Sequence, residues 1–177
     1  MRRTLQFATA ATVIAIGTAL AIPAAAQDIP KRKSGLWEVN MGTAGSGKGG
    51  GMGTITQCVD AAKDDMGRQM GQEMSKEHKC IQTNMQRTPG GLSFDSTCEI
   101  GATKSKSKTV ITGDFASAYK VQIHASYDPP LAGRAESTTT MEARYLGACK
   151  AGQRPGDMVM PGGMTINMYD MMNAYKK

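Results

Sequence analysis

Large apolar side chains are scarce in this chain of 177 residues, which has three Phe, one Trp and, beyond residue 26, only Leu36, Leu92, Leu131 and Leu146 as leucines. The core must therefore be small, in keeping with a single domain. Methionine fills the gap, with fourteen copies. Histidine is nearly lacking: His78 and His124 stand far apart, with no nucleophile motif. The paired acid, base or metal arrangement that catalysis needs is not visible, so no catalytic residue and no bound cofactor are expected. Closely paired cysteines are also missing, since 21, 17 and 50 residues separate Cys58, Cys80, Cys98 and Cys149. Those spacings exclude the compact zinc and redox motifs.

A membrane-spanning run is lacking too. The apolar segment from Phe7 to Ile22 is interrupted by Thr12, Gly17 and Thr18, whereas a spanning helix needs about 20 predominantly apolar residues. With Arg2 and Arg3 before it and Ala24-Ala25-Ala26 after it, the segment has the form of a secretory signal peptide cut before Gln27. The expected organisation is a signal peptide over 1–26, a β-rich domain over 27–150 and a methionine-rich tail over 151–177. The mature protein is expected to be periplasmic or secreted and not membrane-embedded. Net charge falls from +6 to about +4 once Arg2 and Arg3 leave. That supports weak attraction to anionic surfaces but not specific nucleic-acid binding, which calls for a dense basic stripe.

An even number of cysteines in an oxidising compartment predicts two disulfides, with three connectivities to choose from. Two runs with strand character, either side of Thr88-Pro89-Gly90-Gly91, form a hairpin with a cysteine at each far end. The hairpin favours Cys80 with Cys98, leaving Cys58 with Cys149, although the other pairings stay open. The apolar faces conflict with that bridge. Pairing Met85 with Phe94 puts Cys98 opposite Ile81 and turns Cys80 the other way, so the bridge requires a bulge near one cysteine, or a bulge or five-residue loop near Thr88 to Gly91.

Alternation predicts strands at Gly35–Met41, with Trp37, Val39 and Met41 on the core face, at Thr54–Val59, and at Tyr119–Tyr127. Another begins near Arg134, with Thr139, Met141, Ala143 and Tyr145 alike in facing, while Asp128-Pro129-Pro130 breaks the strand before it. Gly42 to Gly51 contains partial matches to nucleotide-binding loops, but Gly49 stands where a P-loop needs Ser or Thr, so the segment is a flexible connection. Asp60 caps a helix running to about Lys76, with Met66, Met70 and Met74 on one face. Both histidines are expected to be exposed. Lys104, Lys106 and Lys108 alternate on one side of a strand; lysine protection of a sheet edge is favoured over an anion-binding strip. About six or seven strands make the fold mainly β: a single antiparallel sandwich, open barrel or curved sheet, with a short helix and a C-terminal amphipathic helix over Met164–Tyr175.

Gly35-Leu36-Trp37-Glu38-Val39, Thr56-Gln57-Cys58-Val59, Phe94-Asp95-Ser96-Thr97-Cys98 and Tyr145-Leu146-Gly147-Ala148-Cys149 resemble the secreted bacterial family of domain of unknown function 3617. The resemblance implies an exported, β-rich, cysteine-bridged domain and no known activity. Function is expected to be non-catalytic binding of a small molecule, an envelope component or a protein. The alternative is copper: Met158, Met160, Met164 and Met168 put several soft thioethers close in sequence, suited to Cu(I). Against it stands the use of methionine as a flexible core filler.

Overall fold

The computed structural model describes residues 30–43, 53–64, 72, 75–88 and 90–175. The expected signal peptide, most of the glycine-rich connection and the Met66, Met70 and Met74 stripe lie outside the described residues, as do Lys176 and Lys177. The strands are β1 (Gly35–Thr43), β2 (Gly53–Val59), β3 (Ile81–Thr88), β4 (Gly91–Ile100), β5 (Thr103–Gly113), β6 (Ala118–Leu131), β7 (Arg134–Gly147), β8 (Asp157–Val159) and β9 (Thr165–Asn167), followed by helix α1 (Met168–Tyr175). They form one open antiparallel sheet in the order β3-β4-β5-β6-β7-β1-β2-β8-β9. The excess over six or seven strands is the tail, where three-residue β8 pairs with β2 and three-residue β9 with β8.

Alternation sorts the side chains onto two faces. Trp37 lies opposite Gln57 and Tyr145, Val39 opposite Ile55 and Ala143, and Ala143 in turn opposite Tyr119. This Trp37 face holds two buried clusters. One is Trp37, Val39, Ile55, Val59 and Ala143; the other is Leu92, Ile111 and Phe115. Tyr119 packs against both, with its ring 5.6 Å from that of Trp37 and stacked at 4.9 Å on Phe115. The opposite face carries Glu38, Asn40, Lys120, Glu142 and Arg144.

The hairpin of β3 and β4 resolves the register conflict with a bulge, placed within the strands between Thr83 and Gln86 rather than beside a cysteine or at Thr88 to Gly91. Near the turn, Gln86 faces Ser93 and Thr88 faces Gly91; beyond it, Thr83 faces Asp95 and Ile81 faces Thr97. Asn84 and Met85 together oppose Phe94, and Asn84 has φ +52°. The extra residue brings Cys80 onto the side of Cys98, and the two Cα atoms are 4.1 Å apart at disulfide distance. Cys58 and Cys149 form the second such pair, with Cα atoms 5.4 Å apart.

Three expectations change. β6 does not stop at Asp128: it runs through Pro129 and Pro130 to Leu131, and only its ladder with β7 is interrupted after Ser126, as expected where proline has no N–H to donate. β5 is not an edge strand but lies between β4 and β6. The C-terminal helix begins at Met168 rather than Met164, because Thr165–Asn167 pairs with β8 and Asn167 then caps the helix. The Asn167 Oδ1 accepts the backbone N–H groups of Tyr169 and Asp170 at 3.0 and 3.1 Å.

Candidate functional site

The Trp37 face is built around a strap. Residues 30–34 cross the end of the sheet and are held there by backbone and side-chain bonds. The Lys33 N–H donates to the Phe115 carbonyl at 2.9 Å, and the Lys33 carbonyl accepts the Trp37 indole N–H at 2.8 Å. Lys33 Nζ lies 4.4 Å above the centre of the Tyr145 ring. Arg32 forms the strap's main anchor. Its Nε and guanidinium reach both Asp64 oxygens, the closest at 2.7 Å, its backbone N–H donates to Asp64 at 2.8 Å, and another guanidinium nitrogen reaches Gln57 Oε1 at 3.0 Å. Both charged side chains are largely buried, at 14 % and 9 % exposure.

Burial works against the Arg32 charge, yet the bonds to Asp64 and the neighbouring Tyr119 hydroxyl together outweigh it and hold the guanidinium above its ordinary pKa. Burial also raises the Tyr119 phenol, with the neighbouring Arg32 charge pulling the other way. Every partner in this group is satisfied, so Arg32 and Asp64 close off one end of the face.

Past the clusters, the same face continues as a mixed strip. Phe94 lies opposite Thr109, Thr109 opposite Ile123, and Ile123 opposite Thr139; Val121 lies opposite Ile111 and Met141. Phe94, Val121, Ile123 and Met141 are only half-buried, between Ser96, Ser107, Thr109 and Thr139. Farther along, Tyr127 and Ser137 share a hydroxyl–hydroxyl bond of 2.9 Å. Among the described residues no second sheet packs on this strip. It combines apolar contact area with hydroxyls placed for polar anchoring.

The opposite face has a groove of about 520 Å³ lined by Glu38, Asn40, Thr112, Lys120, Glu142 and Arg144. Its charges neutralise one another: Arg144 bonds Glu38 at 2.7 Å and Lys120 pairs with Glu142 at 2.9 Å. The lysines of β5 lie on this face. The register sets Lys104 between Glu99 and Asp128, Lys106 between Thr97 and Ser126, and Lys108 between Asp95 and His124. Carboxylates next to both outer lysines replace an anion-binding strip with a mixed-charge surface.

The histidines lie apart from these features. His124 is exposed with Nδ1 2.9 Å from the Thr138 hydroxyl. His78 is half-buried rather than exposed, and its carbonyl accepts the Glu99 N–H at 2.7 Å. No group of three His, Cys, Asp or Glu side chains suited to a metal occurs among the described residues. The tail methionines divide. Met158 and Met160 pack against the Trp37 cluster, Met164 sits in the turn between β8 and β9 at 63 % exposure, and Met168 opens α1. The signal for Arg32 and Asp64 was weak, because ion pairs 32 residues apart leave no local pattern.

No described helix is long and apolar enough to cross a membrane. Residues 32–149 match a family model described as "Protein of unknown function (DUF3617)". No curated protein and no solved structure matches the chain.

Proposed function

The chain belongs to the DUF3617 family, and from that premise we propose that it is a non-catalytic binding module of the periplasm that takes an amphiphilic envelope molecule along its Trp37 face. The observation that carries the reading is the half-buried strip of Phe94, Val121, Ile123 and Met141, edged by hydroxyls and continuous with the closed cluster around Trp37. An acyl chain laid across the strands would cover apolar area there, at about 25 cal/mol per Å². Ser107, Thr109 and Thr139 would meet its polar end. The two cysteine pairs at disulfide distance support work in an oxidising compartment.

Trp37 is the sole tryptophan and makes the reading testable. Titration with a single-chain phospholipid below its micelle concentration should change Trp37 emission saturably and displace a fluorescent fatty acid. Ile123→Glu, at a half-buried position outside both clusters, should abolish the displacement while the chain stays folded. Absence of saturable displacement from the unaltered chain would sink the reading.

A further inference from the structure

The turn between β8 and β9 brings together methionines that are spread along the sequence. Val159 faces Thr165 and Met158 faces Ile166, and just beyond this ladder the Met160 N–H donates to the Met164 carbonyl at 2.8 Å. Residues directly opposite in an antiparallel pair share a face, with Cβ atoms about 4.5–5.5 Å apart, and diagonal neighbours lie about 7–8 Å apart. Met160 opposes both Gly163 and Met164 in a bulged turn that keeps Met160 and Met164 adjacent, and the register makes Met158 the diagonal neighbour of Met164. The three side chains are therefore close enough to converge, each on three rotatable bonds.

Their burial differs in a useful way. Met158 and Met160 pack against the Trp37 cluster, which fixes two sulfur-bearing side chains in place. Met164 is 63 % exposed, so core filling does not account for it. Pro161, Gly162 and Gly163 make the turn, with φ near +90° at both glycines, and the Gly163 N–H donates to the Met160 carbonyl at 3.0 Å. Met168 does not join the group. Its N–H donates to the Gly156 carbonyl at 3.0 Å, two same-face steps from Met164, or roughly 14 Å along the strand.

We propose that Met158, Met160 and Met164 form a thioether site for a soft monovalent cation, Cu(I), at the mouth of the β8–β9 turn. Three neutral sulfurs with no carboxylate in the set select a soft cation and discriminate against zinc, calcium and magnesium. The proposal is independent of the amphiphile site, which uses strands β4 to β7.

The test is an anaerobic titration of the exported, purified chain with Cu(I) against a chromophoric chelator, with Ag(I) as the air-stable probe for methionine methyl resonances. The expected result is one Cu(I) per chain at a dissociation constant below about 1 µM. Ag(I) should shift the methyls of Met158, Met160 and Met164 and leave that of Met168 in place. Met164→Leu, a volume-conserving change at an exposed position, should weaken binding about tenfold or more, and Met168→Leu should not. Binding weaker than about 10 µM in the unaltered chain, or equal affinity in Met164→Leu, overturns the proposal. So does a shift confined to methyls outside these three.

Discussion

The side-chain amide of Asn84 donates to Asp95 at 2.8 Å, directly beside the point where the β3–β4 ladder changes register by one residue. Asn84 is the residue that reconciles two demands on the hairpin. On the turn side the apolar faces meet, and on the far side Cys80 meets Cys98. Its left-handed backbone makes room for the extra residue, and its side chain ties the bulge to the neighbouring strand.

Replacing Asn84 with Val should lower stability by about 1–2 kcal/mol, because a branched side chain is strained at positive φ. Asn84→Gly should cost less. Deleting Asn84 leaves Met85 opposite Phe94 and Cys80 opposite Cys98 in an unbulged hairpin, so the bridge should persist. The flattened β3 edge should then promote self-association. Urea unfolding, disulfide mass mapping and size-exclusion chromatography check the three outcomes.

Asp64→Ala should destabilise the fold by about 3–5 kcal/mol, since it strands the buried Arg32 guanidinium. Replacing both residues, with Arg32→Met and Asp64→Leu, should recover much of that loss. Denaturant midpoints followed by Trp37 emission measure the difference.

The tail should respond to acid. The Asn167 amide, at 2.8 Å, and the Arg154 N–H, at 2.7 Å, hold the Asp157 carboxyl below its ordinary pKa. A lowered folded value contributes stability above the unfolded value of about 3.9, and the contribution is lost as pH falls through the folded value. Asp157→Asn should therefore be less stable than the unaltered chain near neutrality, with the gap closing below about pH 4. Thermal midpoints across that range test the sign.

Gly156 has φ +90°, and a Cβ there would run into the Tyr169 ring. Its N–H donates to the Cys58 carbonyl at 2.8 Å, while its own carbonyl accepts from Met168. Gly156→Ala should cost at least about 1–2 kcal/mol from backbone strain and lift α1 from the sheet. Amide exchange should accelerate in 165–174 and stay slow in β1 and β7.

Much of the sheet was legible from alternation, because Trp37, Val39 and Met41, or Val121 and Ile123, mark a buried face wherever the strand sits. The need for a bulge followed from two incompatible pairings, but not its place at Asn84 and Met85. What a strand's own residues do not encode is its neighbours. Alternating lysines report a solvated face, and β5 has one while lying inside the sheet. Three-residue β8 and β9 are too short for periodicity, and the spacing of Met164 and Met168 suited a helix as well as the turn that forms. The strap is held by Arg32 and Asp64, whose meeting depends on the whole fold. The convergence of Met160 with Met164 also required the ladder to be known.

β1 is the first strand among the described residues, yet it lies between β2 and β7, and Glu38 bonds to Arg144 across 106 positions. A chain synthesised amino end first exposes Trp37 long before its β7 partner arrives. Until then β1 has only β2 to pair with, and half of its hydrogen-bonding edge stays open. Non-local pairing of this kind slows folding and exposes intermediates to aggregation. This interior strand is thus a place where a holding chaperone has the most to protect.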